Sequence, residues 1–553
     1  YEVNLPHFSP ENREEMLQET QNLVDALGSL NPNQLLPQDE YTYTLLRNAL
    51  QNSLSMTRFP YYDEPLSPSS GMQTQLPILL AEYTFRSTRD VDDYLKLLNQ
   101  TDEYFDSLIL YEQENAKAGL LMSGQSLHKV LDQCEQILVQ GDLHKGTHFL
   151  QTTFVERLSV LYTQGLIDLD RAKYYVAQNN RLLSTVFAPA YEALYDGLFV
   201  LCDETIPLRG LANYPNGDTY YELLLKIETG SDMEIERLKE VLTAKLEQEF
   251  LALNQLFTTH PQIILSNYAE EIEEAFPLIS PSQMLLDLQE RMEKDFPLLE
   301  GEEPSVLVKA VSQSLEEYCA PAYYLTPPID DSRSNVIYIN ELHTPHSLEL
   351  YTTLAHEGFP GHLYQTVYHN QQVLSDEDSY VREILWYGGY QEGWALYVEF
   401  LAFDYAAQLL TQAGRGDLAP AVYFEQHNRS LLLCLYSLLD IMIHYDGASY
   451  DTISQVLEAC GITSEASVSA IYEYLVEEPT NYLKYYLGYL EILALQSEAK
   501  QLWGAEYTDY DFHKFLLDCG PSDFSTIRKA MGAVDTAGFE KAREGLPLLT
   551  ARN

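Results

Sequence analysis

The segment TLAHEGFPGHLYQ, residues 353–365, sets two histidines and an acid close together: His356, Glu357 and His362. Imidazole nitrogens and carboxylate oxygens are ligands that zinc takes readily, and an acid beside a ligand can accept a proton from a metal-activated water. In the zinc-protease pattern HExxH the histidines stand four apart and share one helical face. Here they are six apart, which on an unbroken helix leaves them roughly 120° apart in direction and about 9 Å apart along the axis. One ion cannot meet both, so the spacing predicts a break. Pro360 cannot donate to the His356 carbonyl and its ring crowds that carbonyl, while Gly358 and Gly361 tolerate unusual backbone angles. A kink or a two-residue bulge would return His362 to His356 and leave Glu357 facing the shared point. The alternative is an ordinary amphipathic helix that carries these residues by chance, but such a helix has little use for Gly-Phe-Pro-Gly.

A catalytic zinc needs a third protein ligand and an open position. GGYQEGWALYVEF, residues 388–400, offers Glu392 and, seven residues on along the same face, Glu399. Glu392 enters an otherwise apolar helix, where a carboxylate needs a partner or a metal, although it could simply cap a first turn. Glu399 is better placed to hydrogen-bond a histidine ligand and fix its tautomer. In LLLCLYSLLDIMIHY, residues 431–445, Asp440 and His444 lie one turn apart on a greasy helix. They could orient ligands, bind substrate or satisfy each other. PTNYLKYYLGYLE, residues 479–491, carries Tyr482, Tyr485, Tyr486 and Tyr489; with 42 tyrosines in the chain, most of them must be packing.

These groups need a scaffold, and three-and-four apolar spacing makes it helical: residues 12–27, 33–54, 91–119, 126–140, 146–163, 234–256 and 268–295, then 347–368, 376–411, 419–445, 450–459, 464–476 and 481–502. Stretches rich in Pro, Gly, Ser or Asn at 59–77, 203–218 and 276–283 read as loops. AYYLTPPIDDSRSNVIYIN, residues 322–340, departs from the helical pattern and reads as a strand or hairpin. Beside the first histidine helix, it could hold an extended substrate by main-chain bonds. No fixed-period repeat and no phosphate-cradling glycine loop stands out.

Composition narrows the class. The 553 residues carry 33 basic and 83 acidic side chains, a net charge of −50, which counts against nucleic acid or anionic membrane surfaces as partners. Hydrophobic content of 46% is ordinary for a globular protein. The longest apolar run, 431–443, is broken by Asp440 and falls short of the roughly 18 residues a membrane span needs. The six cysteines (Cys134, Cys202, Cys319, Cys434, Cys460, Cys519) form no CxxC pair, which disfavours a cysteine zinc site or a redox motif. A chain that opens on Tyr1 suggests a removed leader, and with a pI of about 4.4 it suits an extracytoplasmic bacterial protein, secreted or lipid-anchored.

HEGFPGHLYQ at 356–365 followed by EGWALYVE at 392–399 resembles the bacterial family called domain of unknown function eight-eight-five, held to be zinc peptidases and marked by HExxPGH and EGWALY. AYYLTPP, YIN, the Asp440 to His444 DxxxH and PTNYLKYYLG extend the resemblance over residues 306–491. It implies a mostly α-helical fold similar to thermolysin-clan (gluzincin) peptidases, with a deep cleft and a small hairpin or sheet near the active-site helix. It also implies one Zn2+ per chain on His356, His362 and Glu392, Glu357 as base, and Tyr485 as a phenol donating to the oxyanion. The family's arginines before DxxxH and in its later motif are replaced near Tyr436 and Glu473, which leaves Arg382, Arg429 and Lys484 as the nearest cations for a substrate carboxylate. The expected arrangement is a helical wall from residues 1–300 and a catalytic region from 301–553. The expected function is a zinc metallopeptidase acting on short peptides. A zinc amidase or esterase on another substrate, and a non-catalytic extracellular peptide-binding protein, are the alternatives.

Overall fold

The computed structural model describes residues 3–139, 141–265, 267–299, 304–311, 321–327, 334–340, 342, 346–372, 381–382 and 385–532. Cys319 and the turn of the 322–340 segment lie outside this set; the other five cysteines are unpaired. The protein is mostly helical with one small sheet, and its contacts gather into two compact units interleaved along the chain. One comprises residues 1–22, 56–215 and 449–478; the other comprises 23–55, 216–448 and 479–553. No helix among the described residues is long and apolar enough to cross a membrane.

In the first unit, Phe85, Tyr94, Phe105, Phe154 and Tyr191 are buried between helices. The late segment joins them through Lys129 on Gly124–Val139, which pairs with Glu473 at 3.1 Å and Glu477 at 3.0 Å. Two readings need correction here. The 91–119 helix is two helices, Thr88–Leu98 and Thr101–Ala118, because Asn99 closes the first and the acidic turn of Asp102 and Glu103 opens the second. The 59–77 loop ends early, since Met72–Glu82 is helical despite Pro77. Pro77 has no N–H for the Gln73 carbonyl, and that carbonyl instead accepts the Tyr191 hydroxyl at 2.6 Å. Leu169–Leu182, Ala188–Phe199, Gly217–Thr229, Asp509–Cys519 and Phe524–Gly532 are helical as well, in addition to the segments marked by apolar spacing.

The second unit holds every residue of the candidate site. Its centre is the helix Gly388–Gln412, buried on all sides from Gly393 to Phe400, as its nearly continuous apolar sequence requires. Against it runs Asn481–Trp503, and the two approach at backbone distance through glycines. A Cβ on Gly393 would lie 2.3 Å from the Gly488 carbonyl carbon, and one on Gly488 would lie 2.2 Å from the Gly389 oxygen. The sheet has the order β1 (Ser305–Ala310), β3 (Ser334–Ile339), β2 (Ala322–Leu325). β2 pairs antiparallel with β3, with Tyr324 opposite Ile337, and β1 pairs parallel with β3. β2 is thus an edge strand, and it lies against the end of the first histidine helix.

Candidate metal centre

The first histidine helix, Ser347–Glu357, stops at Glu357 and a second, His362–Gln372, begins at His362. The four residues between them are a link, so the expected kink or bulge is in fact a complete break. Its closeness depends on glycine. A Cβ on Gly361 would sit 1.8 Å from the His356 carbonyl oxygen and 2.3 Å from that of Ala355, so only Gly lets the chain fold back onto the helix end. The Tyr364 and Gln365 amides then donate to the Gly358 and Gly361 carbonyls at 3.1 and 2.9 Å, starting the second helix. Trp394 ties the link to the neighbouring helix by donating its indole N–H to the Pro360 carbonyl at 2.8 Å.

This fold-back brings His356, His362 and Glu392 together, with one ligand atom from each within 4.8 Å of the others. Glu392 Oε2 lies 3.3 Å from His362 Nε2 and 3.6 Å from His356 Nε2, yet it is buried without a hydrogen bond. Bonds of 2.0–2.1 Å in a tetrahedral zinc site put neighbouring ligand atoms about 3.3 Å apart, so these separations fit a shared ion. Two imidazoles and one carboxylate are also the donor set such a site uses. These three side chains could therefore bind a metal.

The surroundings orient the ligands. Glu399 Oε2 lies 3.0 Å from His356 Nδ1, which leaves Nε2 turned to the cluster, and Arg429 Nε donates to Glu399 Oε1 at 2.9 Å. Burial opposes the Glu399 charge, but Arg429 and His356 outweigh it and hold its carboxyl down at about 2. Burial likewise opposes the charge of Glu392, and the imidazoles of His362 and His356 hold its carboxyl well below the usual range. The same pairings work the other way on His356: burial lowers its pKa, and Glu392, Glu399 and Glu357 together raise it to about 10. Three carboxylates thus surround the His356 ring, with Arg429 balancing one of them.

Glu357, next to the first ligand, accepts the Tyr324 main-chain N–H at 2.8 Å, so the edge of β2 touches the carboxylate. Of the four tyrosines on Asn481–Trp503, Tyr485 is the one whose ring faces His356, with centroids 6.0 Å apart. Tyr486 is buried and shares a hydrogen bond with Ser430, Tyr489 packs on Phe400 and Tyr482 on Tyr436. Asp440 and His444 belong to another network. Asp440, fully buried, accepts the Tyr221 hydroxyl and the Thr480 amide, the latter at 2.9 Å, while His444 stacks on Tyr221. Of the cations expected near a substrate carboxylate, Arg429 is engaged by Glu399, Lys484 lies 3.9 Å from Glu228, and buried Arg382 donates to the Cys519 carbonyl. Tyr324, Tyr221 and Thr480 were not visible from the sequence, since a main-chain donor and a distant hydroxyl leave no motif.

The profile of the family described as "Bacterial protein of unknown function (DUF885)" matches residues 1–531. The chain belongs to the DUF885 family. No curated protein matches this DUF885 chain. Among solved structures, a "putative lipoprotein" of Colwellia psychrerythraea is 18% identical with a TM-score of 0.80, covering 95% of this chain and 91% of that one. One of Shewanella oneidensis, titled in the same way and "of unknown function", is 17% identical with a TM-score of 0.63, over 95% and 93%. These two share the fold. A "putative oligoendopeptidase F" from Bacillus anthracis is 13% identical with a TM-score of 0.34, over 98% of this chain and 95% of that one.

Proposed function

We propose that this DUF885 chain is a zinc-dependent hydrolase that cleaves short peptides, with His356, His362 and Glu392 as the ligands. The convergence of these three ligand atoms beside Glu357 carries the reading. A zinc ion held there supplies Lewis acidity toward water and toward the scissile carbonyl. Glu357 takes the proton of the attacking water and returns it to the leaving amine. Its contact with Tyr324 N–H keeps the carboxylate at the edge of β2, where an extended peptide would add by main-chain bonds. Tyr485 donates its phenol to the oxyanion, and Glu399, held by Arg429, keeps the His356 ring in its ligating tautomer. The lipoprotein titles of two structural relatives support an extracytoplasmic setting.

Elemental analysis of the protein after dialysis against metal-free buffer tests the ligands. Wild type should hold about one zinc per chain and His362→Ala far less. Glu357→Gln should keep the metal while turnover falls by about 10²–10⁴-fold, read by mass spectrometry on a short-peptide library run beside acyl amides and esters. No zinc in wild type would remove the metal reading. Cleavage confined to the amides or esters would move the substrate class.

A further inference from the structure

The helix Pro37–Met56 turns one face to the core of the second unit, and that face changes character along its length. Tyr41 and Leu45 are buried, and steps of three and four residues from them lead to Asn48 and Asn52, where the same periodicity requires apolar side chains. In place of packed core, this stretch borders a cavity of about 460 Å³, with Gly230 and the start of Phe524–Gly532 across from it. The walls are joined to one another. The Phe524 amide donates to the Gly230 carbonyl at 2.9 Å, and Asn48 Nδ2 donates across to Asp523 Oδ2 at 3.3 Å. Tyr387, 6% exposed, lines the cavity beside Gly230, where an added Cβ would lie 3.3 Å from its ring. Its hydroxyl is buried with no partner among the described residues.

The charges that line the cavity are engaged with one another, save one. Lys529 pairs with Glu40 at 3.0 Å and Lys226 with Asp232 at 2.6 Å. Asp523 accepts the Thr526 amide at 2.8 Å and the Ser525 hydroxyl at 2.7 Å. Arg47 is left: it is exposed, has no ion pair or hydrogen bond among the described residues, and lies 5.8 Å from the Tyr43 ring one turn back. The Tyr43 hydroxyl and the Asn52 amide are likewise without a partner there. We propose that this cavity binds a small hydroxylated monocarboxylate of single-sugar size, such as a uronate. One unpaired guanidinium matches one carboxylate through two parallel bonds. A second negative charge, as on a phosphate, would meet Glu40, Asp232 and Asp523 with no cation left to offset it. The Asn52 amide and the two phenols suit hydroxyl groups, and no Leu, Ile, Val, Met or Phe lines the cavity to favour an apolar ligand. Its volume lies within the roughly 300–1,000 Å³ of small-molecule sites. The cavity shares no residue with the histidine cluster, so it stands or falls independently of the hydrolase reading.

The probe is D-glucuronate, titrated calorimetrically into the full-length protein at neutral pH. One site per chain with a Kd of about 0.1–1 mM is expected. D-Glucose, which lacks the charge, and acetate, which lacks the hydroxyls, should each bind at least about tenfold more weakly. Arg47→Gln changes an exposed side chain and should weaken glucuronate by about tenfold or more. Asn52→Leu restores the apolar pattern of the helix face, so it should abolish binding while the melting temperature stays level or rises. Tyr387→Phe removes only the buried hydroxyl and should weaken binding several-fold. No heat from glucuronate at about 10 mM would overturn the proposal. So would acetate or glucose 1-phosphate binding as tightly as glucuronate, or wild-type affinity in Arg47→Gln.

Discussion

Around His356 three residues divide the work, and each can be removed separately. Glu399 touches no proposed ligand atom facing the ion; it holds the far side of the ring at 3.0 Å. Glu399→Gln should therefore weaken metal affinity by about 10–100-fold, as loss of such outer partners does, with the protein still folded; competition with a chromophoric chelator measures it. Tyr485→Phe tests the phenol. If it stabilises the oxyanion, kcat should fall by about 10²–10³-fold with KM little changed. Tyr486→Phe provides the contrast, since the Tyr486 hydroxyl is spent on Ser430 inside the bundle and its loss should lower stability by about 1 kcal/mol and leave the rate alone.

The helices Gly388–Gln412 and Asn481–Trp503 bring Glu392 and Tyr485 to the same histidine, His356, while touching along Gly389, Gly393 and Gly488. Gly393→Ala would force them apart, with backbone rather than a flexible side chain in the way, and should cost about 1–3 kcal/mol in urea unfolding together with a loss of metal affinity. Gly28→Ala, with nothing within 4 Å, should change stability by less than about 0.5 kcal/mol. The start of the Tyr485 helix depends on Asp440, which accepts the amide of Thr480, a residue held at φ +68°. Burial pushes the Asp440 carboxyl up to about 7, against the lowering effect of Tyr221, the Thr480 amide and Lys484. A folded pKa above the unfolded value of about 3.9 means that the folded state binds the proton more tightly. The contribution of Asp440 to stability is then complete below that unfolded value and is lost as the pH rises through about 7. Asp440→Asn keeps an acceptor for Thr480 and a donor toward Tyr221, so it should lose less stability than wild type between pH 5 and pH 8, by a few kcal/mol at most and about 1.4 for each unit of the shift. Urea unfolding across that range reads the difference.

For the molecule as a whole, a net charge of −50 on 553 residues is a standing repulsion that folding has to overcome. Surface ion pairs such as Lys529 with Glu40 offset little of it, since exposed pairs contribute about 0–1 kcal/mol each. Raising sodium chloride from about 10 to 150 mM shortens the Debye length from about 30 to 8 Å, so the melting temperature at pH 8 should rise by a few degrees. A flat response would mean that like charges are spaced widely enough not to interact. The same field repels polyanions and concentrates cations.

What could be read along the chain was what obeys local rules. Pro360 between two glycines forbids a continuous helix wherever it occurs, and a Glu amid Trp394, Ala395 and Leu396 is anomalous in any fold, so the break and the third candidate ligand were legible. The strands Ala322–Leu325 and Ser334–Ile339 and most helices followed from their own periodicity. Other outcomes depended on groups that meet only after folding. Pro77 sits inside a helix because Tyr191 supplies a hydroxyl to the carbonyl it leaves free. Asp440 serves Tyr221, 219 residues away, and Glu357 meets a backbone amide whose position depends on a strand pairing. Backbone stereochemistry and side-chain polarity act over a few residues and are written in order along the chain, whereas proximity between distant side chains exists only once the core has packed, and there the chemistry of the site was decided.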